Sequence, residues 1–170
     1  MIDYIDQDVG RILSTLKELK IDENTIVIFS SDNGPHQEGR HKMEFFDSNG
    51  PLRGMKRDLY EGGIRVPFIA RWPKSVPAKK VSHHISGFQD MFPTLLELAQ
   101  IELEHEVDGI SMVPTLLGKK GQRKHDYLYW EFGERGGATA VLKGDWKGVR
   151  RNTRKNPGGL IELYNLKNDL

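Results

Sequence analysis

Between Thr25 and Pro35 the chain reads Thr-Ile-Val-Ile-Phe-Ser-Ser-Asp-Asn-Gly-Pro. The unbroken β-branched and aromatic run from Ile26 to Phe29 suits a strand buried on both faces of a parallel sheet, because a half-exposed strand alternates apolar with polar side chains. Thr25 to Ser30 is therefore expected to form a central strand. It leads directly into Asp32-Asn33-Gly34-Pro35, so two oxygen-bearing side chains stand where the strand leaves the sheet, just before residues that force a turn. In open α/β sheets ligands bind at that edge. Asp32 and Asn33 point to opposite faces of a straight strand, so they can share one ligand only if Gly34-Pro35 bends the chain. A carboxylate beside an amide carbonyl suits a hard cation such as Ca²⁺ or Mg²⁺. The same four residues also make an ordinary turn, and spacing alone does not separate the two readings.

Upstream, Ile2, Ile5, Val9, Ile12, Leu13, Leu16 and Leu19 recur at intervals of three and four. They make one apolar stripe on a helix of about five turns. Helix, short polar connection and strand are half of a βαβ unit, whose first strand is expected upstream of Met1. From His36 to Gly63 there is little periodicity but many Gly, Asn, Asp and basic residues, as in a functional loop. Val66 to Trp72 reads as a second strand, and Asp90 as the cap of a helix through Leu98. Gly118 to Gln122 is a polar, glycine-bracketed boundary, dividing residues 1–118 from residues 119–170. Beyond it, Tyr127 to Phe132, Ala138 to Leu142, Trp146 to Arg150 and Ile161 to Leu166 read as strands of a small antiparallel sheet.

The 170 residues contain no cysteine, which excludes disulfides, thiolate metal sites and a cysteine nucleophile within them. A net charge of +1 gives no global reason to expect nucleic acid as a partner. The basic residues Lys143, Lys147, Arg150, Arg151, Arg154 and Lys155 alternate as on a solvated sheet face, without the interleaved aromatics of a nucleic-acid reader. No apolar run approaches the length of a membrane span, and the start lacks the pattern of a signal peptide.

Ser31-Asp32-Asn33-Gly34, Gly50-Pro51-Leu52-Arg53-Gly54-Met55-Lys56 and Tyr60-Glu61-Gly62-Gly63-Ile64-Arg65-Val66-Pro67, in that order, resemble the C-terminal half of type I sulfatases. The arylsulfatase A and N-acetylgalactosamine-6-sulfatase group is the nearer likeness. The resemblance covers essentially the whole chain. It implies an α/β fold, part of an alkaline-phosphatase-like sandwich with a mostly parallel sheet, followed by a small C-terminal antiparallel-sheet subdomain.

By that resemblance Asp32 and Asn33 match Ca²⁺ ligands, Lys56 a catalytic lysine that contacts the sulfate, and His36 a position that reaches substrate. Read without it, Lys56 is a solvated loop lysine and His36 a partly exposed loop histidine. The resemblance also implies a sulfated carbohydrate or aryl sulfate as substrate and an exported parent, whether periplasmic, extracellular or lysosomal. The family's nucleophile is a formylglycine made from Cys-x-Pro-x-Arg or Ser-x-Pro-x-Arg. Neither element occurs here. It is expected in a missing N-terminal half of the same enzyme, and this stretch alone is expected to be inactive. A non-catalytic anion- or glycan-binding module is the alternative.

Overall fold

A computed structural model describes residues 2–169; Met1 and Leu170 lie outside the described residues. In chain order the elements are α1 (Ile2–Glu18), β1 (Val27–Ser30), α2 (Met43–Phe46), α3 (Glu61–Ile64), β2 (Phe68–Arg71), α4 (Met91–Leu98), α5 (Val113–Leu116), β3 (Leu128–Phe132), β4 (Ala138–Lys143), β5 (Trp146–Arg151) and β6 (Ile161–Asn165). The chain divides into two compact units, one of residues 1–29 and 68–124, the other of residues 30–67 and 125–170.

In the first unit α1 follows the apolar stripe, yet it buries none of its residues. β1 begins at Val27 rather than at Thr25, because Thr25 closes the preceding 3₁₀ turn. Its hydroxyl donates to the Ile21 carbonyl at 2.8 Å. β1 and β2 form a two-stranded sheet. The expectation of a strand buried on both faces does not hold within these residues: Phe29 is 39% and Ile69 of β2 60% exposed, since no further strand covers them among the described residues. Asp90 also departs from expectation. A 3₁₀ turn, Phe88–Asp90, precedes α4, and the buried Asp90 carboxylate accepts from the N–H groups of Gly87 at 2.8 Å and Ile110 at 2.7 Å instead of capping its own helix. Thr94 extends that tie, accepting from the Met112 N–H at 2.8 Å.

The second unit is built on the four-stranded antiparallel sheet β3-β4-β5-β6, which lies wholly within residues 119–170. Alternation decides its faces. Leu128 stands opposite Leu142, Trp130 opposite Ala140, Ala140 opposite Val149, Lys147 opposite Tyr164 and Val149 opposite Glu162. Leu59 and Tyr60 pack on this face against Ala140 and Val149, flanked by Trp130, Phe132 and Tyr164. The sheet thus carries the loop from Arg53 to Gly63.

Candidate functional site

Where β1 ends, short polar side chains shape the turn. The Ser31 hydroxyl donates to the Asn33 carbonyl at 2.9 Å, and Asn33 Nδ2 donates to the Gly34 carbonyl at 2.9 Å. With its nitrogen engaged internally, the Asn33 amide presents Oδ1 on the other side. Asp32 is exposed, and its carboxylate has no hydrogen bond or ion pair among the described residues. These are two hard oxygen donors left available at a strand end. Among the described residues no group of three or more His, Cys, Asp or Glu could hold a metal ion. A Ca²⁺ shell of six to eight oxygens, as an approximate rule, would need further donors.

Gly34 joins this turn to the loop that bears Lys56. Its N–H donates to the Gly63 carbonyl at 2.9 Å, and a Cβ at Gly34 would stand 1.8 Å from the Gly62 carbonyl oxygen. Only a residue without a side chain admits that approach. The Lys56 N–H donates to the Pro35 carbonyl at 2.8 Å. Within the loop, Gly62 N–H donates to the Arg53 carbonyl at 2.7 Å and the Met55 N–H to Asp58 Oδ2 at 3.0 Å. Backbone bonds therefore bring Lys56 against the Asp32–Pro35 turn.

His36 follows directly. Its Nδ1 accepts from the Glu38 N–H at 3.0 Å, so the neutral ring carries its proton on Nε2 and offers a donor there. Lys56 Nζ lies 3.8 Å from Glu38 Oε2, and Arg57 pairs with Glu38 Oε1. A hydrogen bond from Arg57, then the charges of Arg57 and Lys56, hold the Glu38 carboxyl below the usual carboxylate range. Glu38 had no sequence signal beyond its nearness to His36. Only the fold of the loop, with Arg57 at φ 77°, turns Lys56 and Arg57 toward one carboxylate.

Beneath the loop lies a polar cluster on the inward face of the sheet. Lys147, 1% exposed, donates to Glu61 Oε1 at 2.7 Å, with its ammonium 5.4 Å from the Trp130 ring centre. It is not part of the solvated basic face that the sequence suggested. Strand alternation places it on the same side as Val149, and burial pushes its ammonium below the ordinary lysine range against the opposing pull of Glu61. Tyr60 and Tyr164 both donate to Glu162 Oε2, at 2.7 and 2.5 Å, while the Arg53 guanidinium sits 4.1 Å above the Tyr60 ring. Burial and the Glu162 carboxylate push the Tyr60 phenol up to about 12.

The sequence resembles known protein families over residues 1–169. The family profile described as Sulfatase matches residues 1–101.

The chain belongs to the sulfatase family.

A second profile, described as N-sulphoglucosamine sulphohydrolase, C-terminal, matches residues 54–169 of this sulfatase-family chain. It is 39% identical over 151 residues to N-acetylgalactosamine-6-sulfatase of Canis lupus familiaris, covering 84% of this chain and 27% of that relative. It is 39% identical over 133 residues to steryl-sulfatase of Rattus norvegicus, covering 75% of this chain and 23% of the relative. The crystal structure of Ps i-CgsB in complex with k-i-k-neocarrahexaose superposes with a TM-score of 0.83 at 30% identity, covering 99% of this chain and 36% of that one. The fold is thus the alkaline-phosphatase-like α/β fold of sulfatases, with the four-stranded sheet at its C-terminal end. The chain spans about a quarter of the length of the curated relatives it matches.

Proposed function

We propose that this chain is the C-terminal part of a sulfate-ester hydrolase, acting on a sulfated carbohydrate or an aryl sulfate. The observation that supports the reading best is the bond from the Lys56 N–H to the Pro35 carbonyl, which ties the backbone of a lysine to the turn that carries two free hard-oxygen donors, Asp32 and Asn33. Asp32 and the Asn33 Oδ1 fit a hard divalent cation, and we assign them as two of the Ca²⁺ ligands. When bound, such an ion polarises the sulfate oxygens as a Lewis acid. Lys56 contributes a fixed positive charge to the sulfuryl group and the leaving oxygen as negative charge develops there. His36 offers its Nε2–H to the substrate.

The nucleophile, a formylglycine, is assigned to an N-terminal part of the same enzyme, together with the remaining metal ligands. Residues 1–118 then belong to the catalytic α/β domain and residues 119–170 to a C-terminal subdomain. Among the described residues no helix is long and apolar enough to cross a membrane, and we assign the parent enzyme to an exported compartment on its sulfatase kinship.

The test is kinetic. In the full-length protein Lys56→Ala should lower kcat/KM for 4-nitrophenyl sulfate by about 10²–10³, the cost typical of one preorganised charge-stabilising group. Its melting temperature should hold, since Lys56 makes only a loose, partly exposed ion pair. Undiminished turnover would reject Lys56 as the sulfate-binding residue. A full-length protein that binds sulfate esters without hydrolysing them would establish the non-catalytic module instead.

A further inference from the structure

We propose that Glu38 sets the charge that the site accepts, so that Lys56 and Arg57 receive a singly charged sulfate ester and disfavour a doubly charged phosphate monoester. The inference depends on the reading of Lys56 as the sulfate-binding residue. Its basis is the way one carboxylate is divided between two cations. Oε1 of Glu38 pairs with Arg57 Nη1, and Oε2 lies 3.8 Å from Lys56 Nζ. The Glu38 backbone is held as well, through its N–H to His36 Nδ1 at 3.0 Å. Glu134 is the other acid nearby, 3.9 Å from Arg57 Nε, but its side chain is 72% exposed, so water screens it more than Glu38.

Glu38 offsets one of the two positive charges of Lys56 and Arg57, whatever charge a bound metal adds, and a sulfate monoester, as a monoanion, sets no second negative charge against that carboxylate. A phosphate monoester carries close to two negative charges above its second pKa of about 6, so the second would lie beside an ionised carboxylate. Glu38 remains ionised there, because Arg57 and Lys56 keep its carboxyl below the usual range. A purely structural role is a poor account of this residue. Half-exposed ion pairs add little stability, and nothing about stability requires the second oxygen to face Lys56.

The test uses non-hydrolysable ligands of equal shape and different charge, so that it reads binding whether or not the protein turns over. Benzenesulfonate and phenylphosphonate, the latter above its second ionisation, are titrated calorimetrically into full-length wild type, Glu38→Gln, Glu38→Asp and Lys56→Ala. In Glu38→Gln the preference for the sulfonate over the phosphonate should fall about tenfold, the scale of one nearby charge in a partly solvated site. Glu38→Asp should keep the wild-type preference, and the melting temperature should not move in either. An unchanged preference in Glu38→Gln, with binding lost in Lys56→Ala, overturns the role of Glu38 alone. Undiminished binding in Lys56→Ala, or none to the wild type, overturns the sulfate-site reading beneath it.

Discussion

Asp32 and Gly34 stand two positions apart and do opposite kinds of work. Asp32 is exposed and unpartnered among the described residues, so its removal should cost little stability. In the full-length protein Asp32→Ala should lose both sulfatase turnover and its sensitivity to a Ca²⁺ chelator; a variant that keeps both would exclude Asp32 as a ligand. Gly34 is buried, and an added methyl would meet the Gly62 carbonyl oxygen at 1.8 Å, a backbone atom that cannot rotate away. Gly34→Ala should therefore destabilise the protein by about 3 kcal/mol or more, at the upper end for overpacking, as read from denaturant unfolding. A midpoint like that of the wild type would mean that the two strands of backbone part easily. Asp32 and Asn33 could be picked out from the chain because a strand end followed by Gly-Pro is a recognisable place for a ligand. Glu38 could not, since its partners are drawn to it by left-handed turns at Gly39 and Arg57 that no spacing rule foretells.

At the scale of elements, the loop from Arg53 to Gly63 is held from two sides. Backbone bonds tie it to the Asp32–Pro35 turn, and Leu59, Tyr60 and Glu61 tie it to the sheet. The Tyr60 phenol gives a pH test of the second attachment. Its folded pKa lies near 12, against about 10 for an exposed tyrosine. A raised folded value means that the folded state holds the proton more tightly. The resulting stability is fully present below about 10 and is lost as pH rises toward about 12. Tyr60→Phe should flatten the fall in melting temperature across that interval; an identical alkaline slope in the variant would dissociate Tyr60 from it. The strands β3 to β6 fall within one residue of the sequence reading because period-two alternation and turn residues are local signals. The same alternation places Lys147 with Val149, facing inward. Charge pattern suggests a solvated lysine, but the carboxylate of Glu61, far off in the sequence and only 11% exposed, compensates the cation.

For the molecule as a whole, the two compact units are each assembled from separated stretches, with changes of unit at residues 29–30, 67–68 and 124–125. The first unit leaves apolar surface exposed: Ile2 is 84% and Ile12 54% exposed along α1, and Leu19, just past its end, 62%. Val9, Leu13 and Leu16 of the same stripe are only half-buried, and an amphipathic helix is stabilised chiefly when another element packs on its stripe. The 170-residue stretch expressed alone should thus bind a hydrophobic dye such as anilinonaphthalene sulfonate strongly, and the full-length protein weakly. Equally weak binding by both would show that the stripe needs no cover. The amino-acid order by itself determined the amphipathic α1, the β1 run, the four-strand meander and the strand-end position of Asp32 and Asn33, because each follows from periodicity or turn chemistry within a few residues. Tertiary structure alone decided that Gly34 meets Gly62, that Lys56 comes beside Pro35 and Glu38, and that Lys147 is buried against Glu61. Those contacts join residues far apart in the chain, and their geometry depends on packing and desolvation, which no local pattern encodes.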